Sequence, residues 1–421
     1  MSRRWVVIGL AVLAPASSAQ PAHPPGWNPT DSIRQLPSYR PAHDTVTLLT
    51  PARIARYARR DSAAWMAYLA RSRAVHARDT ASMQAELRRV GRDTMTRAPY
   101  THDFDVKPWM TPAWFATDSA RRMADVILTY QAPNGGWSKH VDFTQHPRAP
   151  GESYFAETNT WGWISTLDNS STTEELHFLA LADRARPDAR YRAAFLRGLD
   201  WLLDAQYPNG CWPQNYPLEG SYHDAATFND GAIVNATRLL RETAEGRYPF
   251  VPAATRERAR TGAANGLACM LNTQVRVGGA LTVWGQQHDP LTLAPTSARS
   301  YELTSLTGSE SVAIVRYLMS VPSPSARVVA AVHAAADWYR RTALRDSVYE
   351  GYELRARPGA GPLWARLYEI GTNRPIFSNR DGVLLYDWNK LTDRRRGYGW
   401  FTTEPATMLQ EYDAWAKAHP R

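Results

Sequence analysis

Apolar residues recur at helical spacing across most of residues 117–342, and loops rich in Gly, Pro and aromatic residues interrupt them. The clearest interruption lies within 206–240. Pro208, Asn209 and Gly210, then Pro213 and Pro217, end one helix. Asn229 and Asp230 open the next, in which Ile233, Val234, Ala236, Leu239 and Leu240 share a face. Asp230 therefore stands at or near a helix N-terminus beside an aromatic loop, a position suited to ions and anionic ligands. The stretch QAPNGGW at 131–137 matches QYPNGCW at 206–212 at five of seven positions, and QVRVGGALTVW at 274–284 is a weaker third copy. The starting glutamines lie 75 and 68 residues apart, which marks a repeated helix–loop–helix unit. Three hairpins are expected: 117–130 with 172–185, 193–206 with 226–241, and 256–274 with 305–320. Set in a ring they make a mainly α fold, an (α/α)3 toroid, with equivalent loops around one cleft.

The flanks read differently. Residues 51–90 alternate arginines with Ile54, Tyr57, Trp65, Leu69 and Leu87, the pattern of two amphipathic helices. Residues 276–303 read as a loop region with a short strand at 282–284. Residues 327–342 return to helix, 344–402 carry short apolar runs between turn residues, and 403–417 form a closing helix. The expected organisation is a signal peptide at 1–19, a partly helical N-terminal extension at 20–110, the toroid at 111–343, and a smaller strand-containing C-terminal part at 344–421 completing the same domain.

Composition adds a compartment and a class of partner. With 44% hydrophobic residues in 421, the chain can bury a large core. Arg3 and Arg4 precede an apolar run at 5–14, and Ser17 and Ala19 suit cleavage before Gln20, so the protein is expected to be secreted or periplasmic. No later stretch is long enough to span a membrane. The net charge of +9 falls to +7 without Arg3 and Arg4, and a basic protein attracts polyanions. No zinc-finger or basic-zipper pattern points to nucleic acid. The 16 tryptophans and 20 tyrosines serve core packing first and sugar stacking second. The two cysteines, Cys211 and Cys269, lie in neighbouring units and either pair or stay free. A monomer is expected.

Two acids stand before corresponding helices: Asp168, followed by Asn169, and Asp230. Taken singly each reads as a helix cap. Side by side, two carboxylates repel unless a proton or cation sits between them, and an oxygen-only donor set suits Ca2+. No His/Cys spacing suggests zinc. Arg299 occupies the corresponding loop of the third unit. Arg380 in SNRDG and Arg394 in DRRRGYGW lie in the C-terminal part, and Lys139 follows GGW in the first loop. Solvated charges explain each of these cations alone; together they suit recognition of carboxylates.

GGWSKHVDF, LDNSSTTEELHFLA, YPNGCWPQNYPL, TFNDGAIVNATRLL, SARSYELTSLTGSES, IFSNRDG and RRRGYGWF together resemble a pectate lyase of polysaccharide lyase family 10, in order and spacing, over about 125–415. The resemblance implies an (α/α)3 toroid and Ca2+-dependent β-elimination of polygalacturonate, an acidic polysaccharide. It implies that Asp168 and Asp230 hold calcium with Asn169 beside them, that Arg299 is catalytic, and that Arg380 and Arg394 bind substrate. Lys139 and Asn169 join the substrate-binding candidates. Two departures stand out: Gly231 where the family often has a second Asp, and His140 where Asn is common.

The chemistry requires such residues. Removing the C5 proton beside the C6 carboxylate builds a second negative charge, which cations must offset. An arginine acceptor is unusual, since guanidinium has a pKa of about 12.5–13.8. Rival readings are a triterpene-cyclase-like toroid, from the Q-x-x-x-G-x-W repeats, a hydrolase of acidic sugars using paired carboxylates, and a non-catalytic pectate-binding protein. The cyclase needs an acid-rich motif and a membrane-facing patch, and the chain shows neither.

Overall fold

A computed structural model describes residues 48–157, 165–392 and 397–421. The expected signal peptide and Arg394 lie outside the described residues. The fold is mainly α with short antiparallel strands and no closed sheet among the described residues. The N-terminal extension contributes α1 (Pro51–Tyr57) and α2 (Ser62–Arg89), the two helices expected there. The body follows with α3 (Pro112–Phe115), α4 (Asp118–Thr129), α5 (Thr173–Ala185), α6 (Ala189–Ala205), α7 (Ala232–Ala244), α8 (Ala253–Thr273), α9 (Glu310–Met319), α10 (Ala326–Thr342) and α11 (Glu404–Ala418).

These helices form two layers. Helices α4, α6, α8 and α10 pack in succession, as do α5, α7, α9 and α11, and each layer packs on the other. The hairpin partners differ from the sequence expectation in two of three cases. The closest pairs are α5 with α6 and α7 with α8, joined by short connections, whereas α6–α7 and α8–α9 are separated by the long repeat loops. A short connection forces antiparallel neighbours; a long one does not.

The repeat has a physical basis. The indole N–H of Trp137, Trp212 and Trp284 donates to a carbonyl in the last turns of α4, α6 and α8: Ile127 at 2.9 Å, Leu202 at 2.8 Å and Met270 at 2.6 Å. Each satisfies a carbonyl near a helix end, where intrahelical partners run out. The side-chain amides of Gln131, Gln206 and Gln274 each tie their own loop to the next helix of that layer, through Ala194, Gly262 and Ala331. Trp364 repeats the indole bond on α10, to Tyr339 at 2.8 Å, a fourth copy without a glutamine. Gly135 (φ 106°) and Gly210 (φ 91°) need left-handed backbone, and a Cβ there would lie 2.6 Å and 2.2 Å from helix carbonyl oxygens. Only glycine fits.

In the third copy a hairpin of β2 (Arg276–Val277) and β3 (Ala280–Leu281) replaces that turn. The strand expected at 282–284 is not formed. Pairing shifts to β4 (Gln287–His288), which joins β1 (Ala226–Thr227) and β5 (Pro295–Thr296) in one sheet. The C-terminal part ties onto the loops where β6 (Leu306–Thr307) pairs with β7 (Leu367–Tyr368). Cys211 and Cys269 form a disulfide, which resolves the open pairing.

Candidate active site

At one end of the body, loops from all three repeats line a single cleft of about 280 Å3. It contains Lys139, His140, Glu157, Asp168, Asn169, Gln214, Asn229, Asp230, Arg299 and Glu302. The N-termini of α5, α7 and α9 lie at this end and carry no side-chain cap from Thr172, Gly231 or Ser309. At α4, α6 and α10 the side chains of Thr117, Asp188 and Ser325 do cap. At α9 the Thr307 hydroxyl caps instead, accepting from the Ser309 and Glu310 N–H groups at 3.2 and 3.3 Å.

Two short turns set the acids. Residues Asp168–Ser170 and Asn229–Gly231 form one-turn 3-10 segments that pack on each other. Both pass through left-handed backbone at the second position: Asn169 at φ 50° and Asp230 at φ 51°. The structurally equivalent pairs are therefore Asp168 with Asn229 and Asn169 with Asp230; the acid moves by one position between copies. Left-handed backbone continues at Ser170 (φ 61°) and at Gly231 (φ 73°), so the Gly231 departure falls where glycine carries no steric cost.

The carboxyls of Asp168 and Asp230 share a hydrogen bond. Burial pushes the Asp230 carboxyl well up, and the Asp168 charge adds to it, with Arg366 opposing. Burial also acts to raise Asp168, but Lys139 and the bond to Asp230 outweigh it and hold that carboxyl low. Lys139 donates to Asp168 at 2.6 Å and lies 3.6 Å from Glu157. Burial works against its charge, and the Asp168 carboxylate wins, keeping its pKa above the ordinary lysine value.

Arg299 is a paired cation. Its backbone N–H and Nε donate to Glu302 Oε2 at 3.0 and 2.9 Å, and Nη2 donates to Oε1. Glu302 is 1% exposed and also accepts from the Tyr398 hydroxyl. Burial alone would lower the Arg299 pKa; the Glu302 carboxylate reverses that and holds it above the ordinary arginine value. Beneath lies Arg366, which donates to Asn229 at 3.0 Å and to Glu310, and stacks 4.5 Å from the Tyr398 ring.

The structure thus brings Lys139, Asp168, Asn169, Asp230 and Arg299 to one cleft. Arg380 sits at its edge, where its carbonyl accepts from the Ser300 hydroxyl at 2.7 Å and its guanidinium lies 6.0 Å from the Tyr301 ring. Sequence reasoning missed Glu302, Arg366 and Gln214. Glu302 had a visible signal, three residues after Arg299 in the same motif. Arg366 had none, since its partners Asn229 and Glu310 are 137 and 56 residues away.

These features define a polysaccharide lyase. The pectic acid lyase family model matches residues 131–409. The chain belongs to that family and is a pectate lyase. It is similar to two solved structures of a family 10 polysaccharide lyase from Cellvibrio cellulosa. One is an aspartate-to-alanine mutant in complex with trigalacturonic acid, 34% identical, covering 74% of this chain and 96% of that one, with a TM-score of 0.64. The other is also 34% identical, covers 75% and 98%, and has the same TM-score. No curated protein matches the chain.

Proposed function

We propose that the protein is an exported, Ca2+-assisted lyase of polygalacturonate, built as an (α/α)3 toroid, with Arg299 accepting the C5 proton. The observation that carries this is the convergence of the Asp168–Asp230 pair with Lys139 and Arg299 on one cleft. The relative in complex with trigalacturonic acid supports an acidic galacturonate polymer as substrate.

The donors fit a hard divalent cation. Two carboxylates that must share a proton to sit together, flanked by the amides of Asn169 and Gln214, offer oxygen only. Among the described residues no cluster of three or more His, Cys, Asp or Glu could hold a metal ion, so part of the shell falls to water and substrate. Asp168 and Asp230, with Asn169, would hold Ca2+, which when bound offsets the charge of the substrate carboxylate.

Lys139 and the arginines Arg380 and Arg394 bind uronate carboxylates and fix the sugar. Arg299 takes the proton from C5. The C5–H electron pair becomes the C4=C5 double bond, the C4–O4 bond breaks, and the leaving oxygen picks up a proton. In the resting pair with Glu302, Arg299 is a cation and a poor base. The Tyr398 hydroxyl lets Glu302 release it without becoming unpaired, and the crowded positive charge of the bound state favours neutral arginine. Rate should therefore rise toward alkaline pH.

The test is ultraviolet absorbance during incubation with polygalacturonate, with calcium and with a chelator. A conjugated product that forms with calcium and stops with chelator is expected. New reducing ends without absorbance would mean hydrolysis and overturn the reading.

A further inference from the structure

We infer that the N-terminal extension builds an additional uronate-binding subsite, with the Tyr100 ring as its platform and His102 on its edge. The inference rests on the cleft being the polygalacturonate site proposed above.

Tyr100 and His102 line the same cleft as Lys139, Asp168 and Arg299, yet they precede the matched region 131–409. Five large apolar side chains are exposed among the described residues, and Tyr100, at 49%, is the one in the cleft. That exposure does not come from a loose backbone. The Thr101 N–H donates to the His140 carbonyl at 2.9 Å, and the Asp142 N–H donates to the Pro99 carbonyl at 3.0 Å, in an antiparallel bridge between Tyr100 and Val141. Two residues past His102, Phe104 packs edge-on against Phe143 at 4.8 Å. Arg97 lies 5.6 Å from the Tyr100 ring and donates to the Ala156 carbonyl.

A fixed, half-exposed phenol ring in a cleft of mixed charge, which carries Lys139 and Arg299, can meet the two demands of a uronate ring. Its C–H face needs an aromatic plane; its carboxylate needs a nearby cation, and Arg97 lies 5.6 Å from the ring while Lys139, paired with Asp168 at 2.6 Å, lines the same cleft. The ring lies beside His140, 5.5 Å between centroids, whose own backbone is left-handed at φ 64°. Such conformations persist where surrounding structure enforces them. The subsite would extend the chain's grip on the polymer without touching the reacting carbons.

The experiment compares the full-length protein with Tyr100→Ala, Tyr100→Phe and His102→Ala. Turnover of polygalacturonate gives KM and kcat, and calorimetric titration with polygalacturonate gives affinity independently of turnover. Tyr100→Ala is expected to raise KM and Kd about tenfold with kcat within about twofold, Tyr100→Phe to match the parent, and His102→Ala to fall between. A merely structural role would lower Tm and kcat together. If the parent is active and Tyr100→Ala binds as tightly as the parent, the subsite is overturned and the lyase reading stands. If the parent gives no unsaturated product but binding still depends on Tyr100, the lyase reading fails and the subsite stands. Absence of polygalacturonate binding by the parent overturns both.

Discussion

The two ends of helix α5 face different environments. At its N-terminal end lies the cleft, about 280 Å3, crowded with charge and left-handed backbone. At its C-terminal end, between α5, α6 and the segment after α7, lies a cavity of about 820 Å3 lined by Ala180, Leu181, Pro187, Tyr248, Pro249 and Phe250 together with several charged residues. The larger space carries less chemistry. Its ion pairs, such as Arg192 with Asp183 at 2.9 Å, are satisfied locally, and its connections are short. What marks the proposed site is the convergence of unlike charges on backbone held in sparsely populated conformations, not volume.

That contrast can be broken in four ways. The largest effect is expected from Arg299→Lys, which keeps the charge but loses the fork: kcat should fall about 10^3-fold while polygalacturonate still binds, read by the unsaturated product and by titration. Near-normal turnover would remove Arg299 from its role. Next, Asp230→Asn should cost about 10^2-fold in activity and abolish the calcium-dependent rise in Tm expected of the parent. A preserved calcium shift would place the metal elsewhere.

The third concerns Glu175, in the first turn of α5 at the cleft end. It is fully buried with Oε2 unpartnered, and burial pushes its carboxyl up to about 8. Its pKa is raised on folding from an unfolded value of about 4.3, so the folded state holds the extra proton between those limits. Stability should be highest below the lower value and fall as pH rises through the upper one, by a few kcal/mol at most. Glu175→Gln should flatten that slope and be the more stable protein at pH 8 in denaturant titrations. A slope identical to the parent's would assign it to other groups. The smallest effect belongs to the far cavity. Phe250→Ala should cost about 1–2 kcal/mol of stability, through its edge contact with Phe195 at 5.1 Å, and leave kcat within about twofold. A large loss of activity would show that the two ends are coupled.

Much of this site was legible along the chain. Lys139, Asp168, Asn169, Asp230 and Arg299 belong to loops of three repeated units, and equivalent loops of a repeat gather at one end. Residues held by partners distant in sequence were not legible. Arg366 is set by Asn229 and Glu310, and Tyr100 by the backbone of His140. The hairpin pairing failed for the same reason: helical period marks which face is buried, not which helix covers it.

By itself the sequence determined the helices, the repeat, the cationic loops and the family. Periodicity, glycine punctuation and motif spacing are local properties that chain order preserves. The tertiary structure alone decided that Asp168 and Asp230 share a hydrogen bond, that Arg299 rests as a cation on Glu302, and that the N-terminal extension reaches the cleft. Each depends on through-space distance and burial, which set the strength of a charge interaction and cannot be read from separation along the chain.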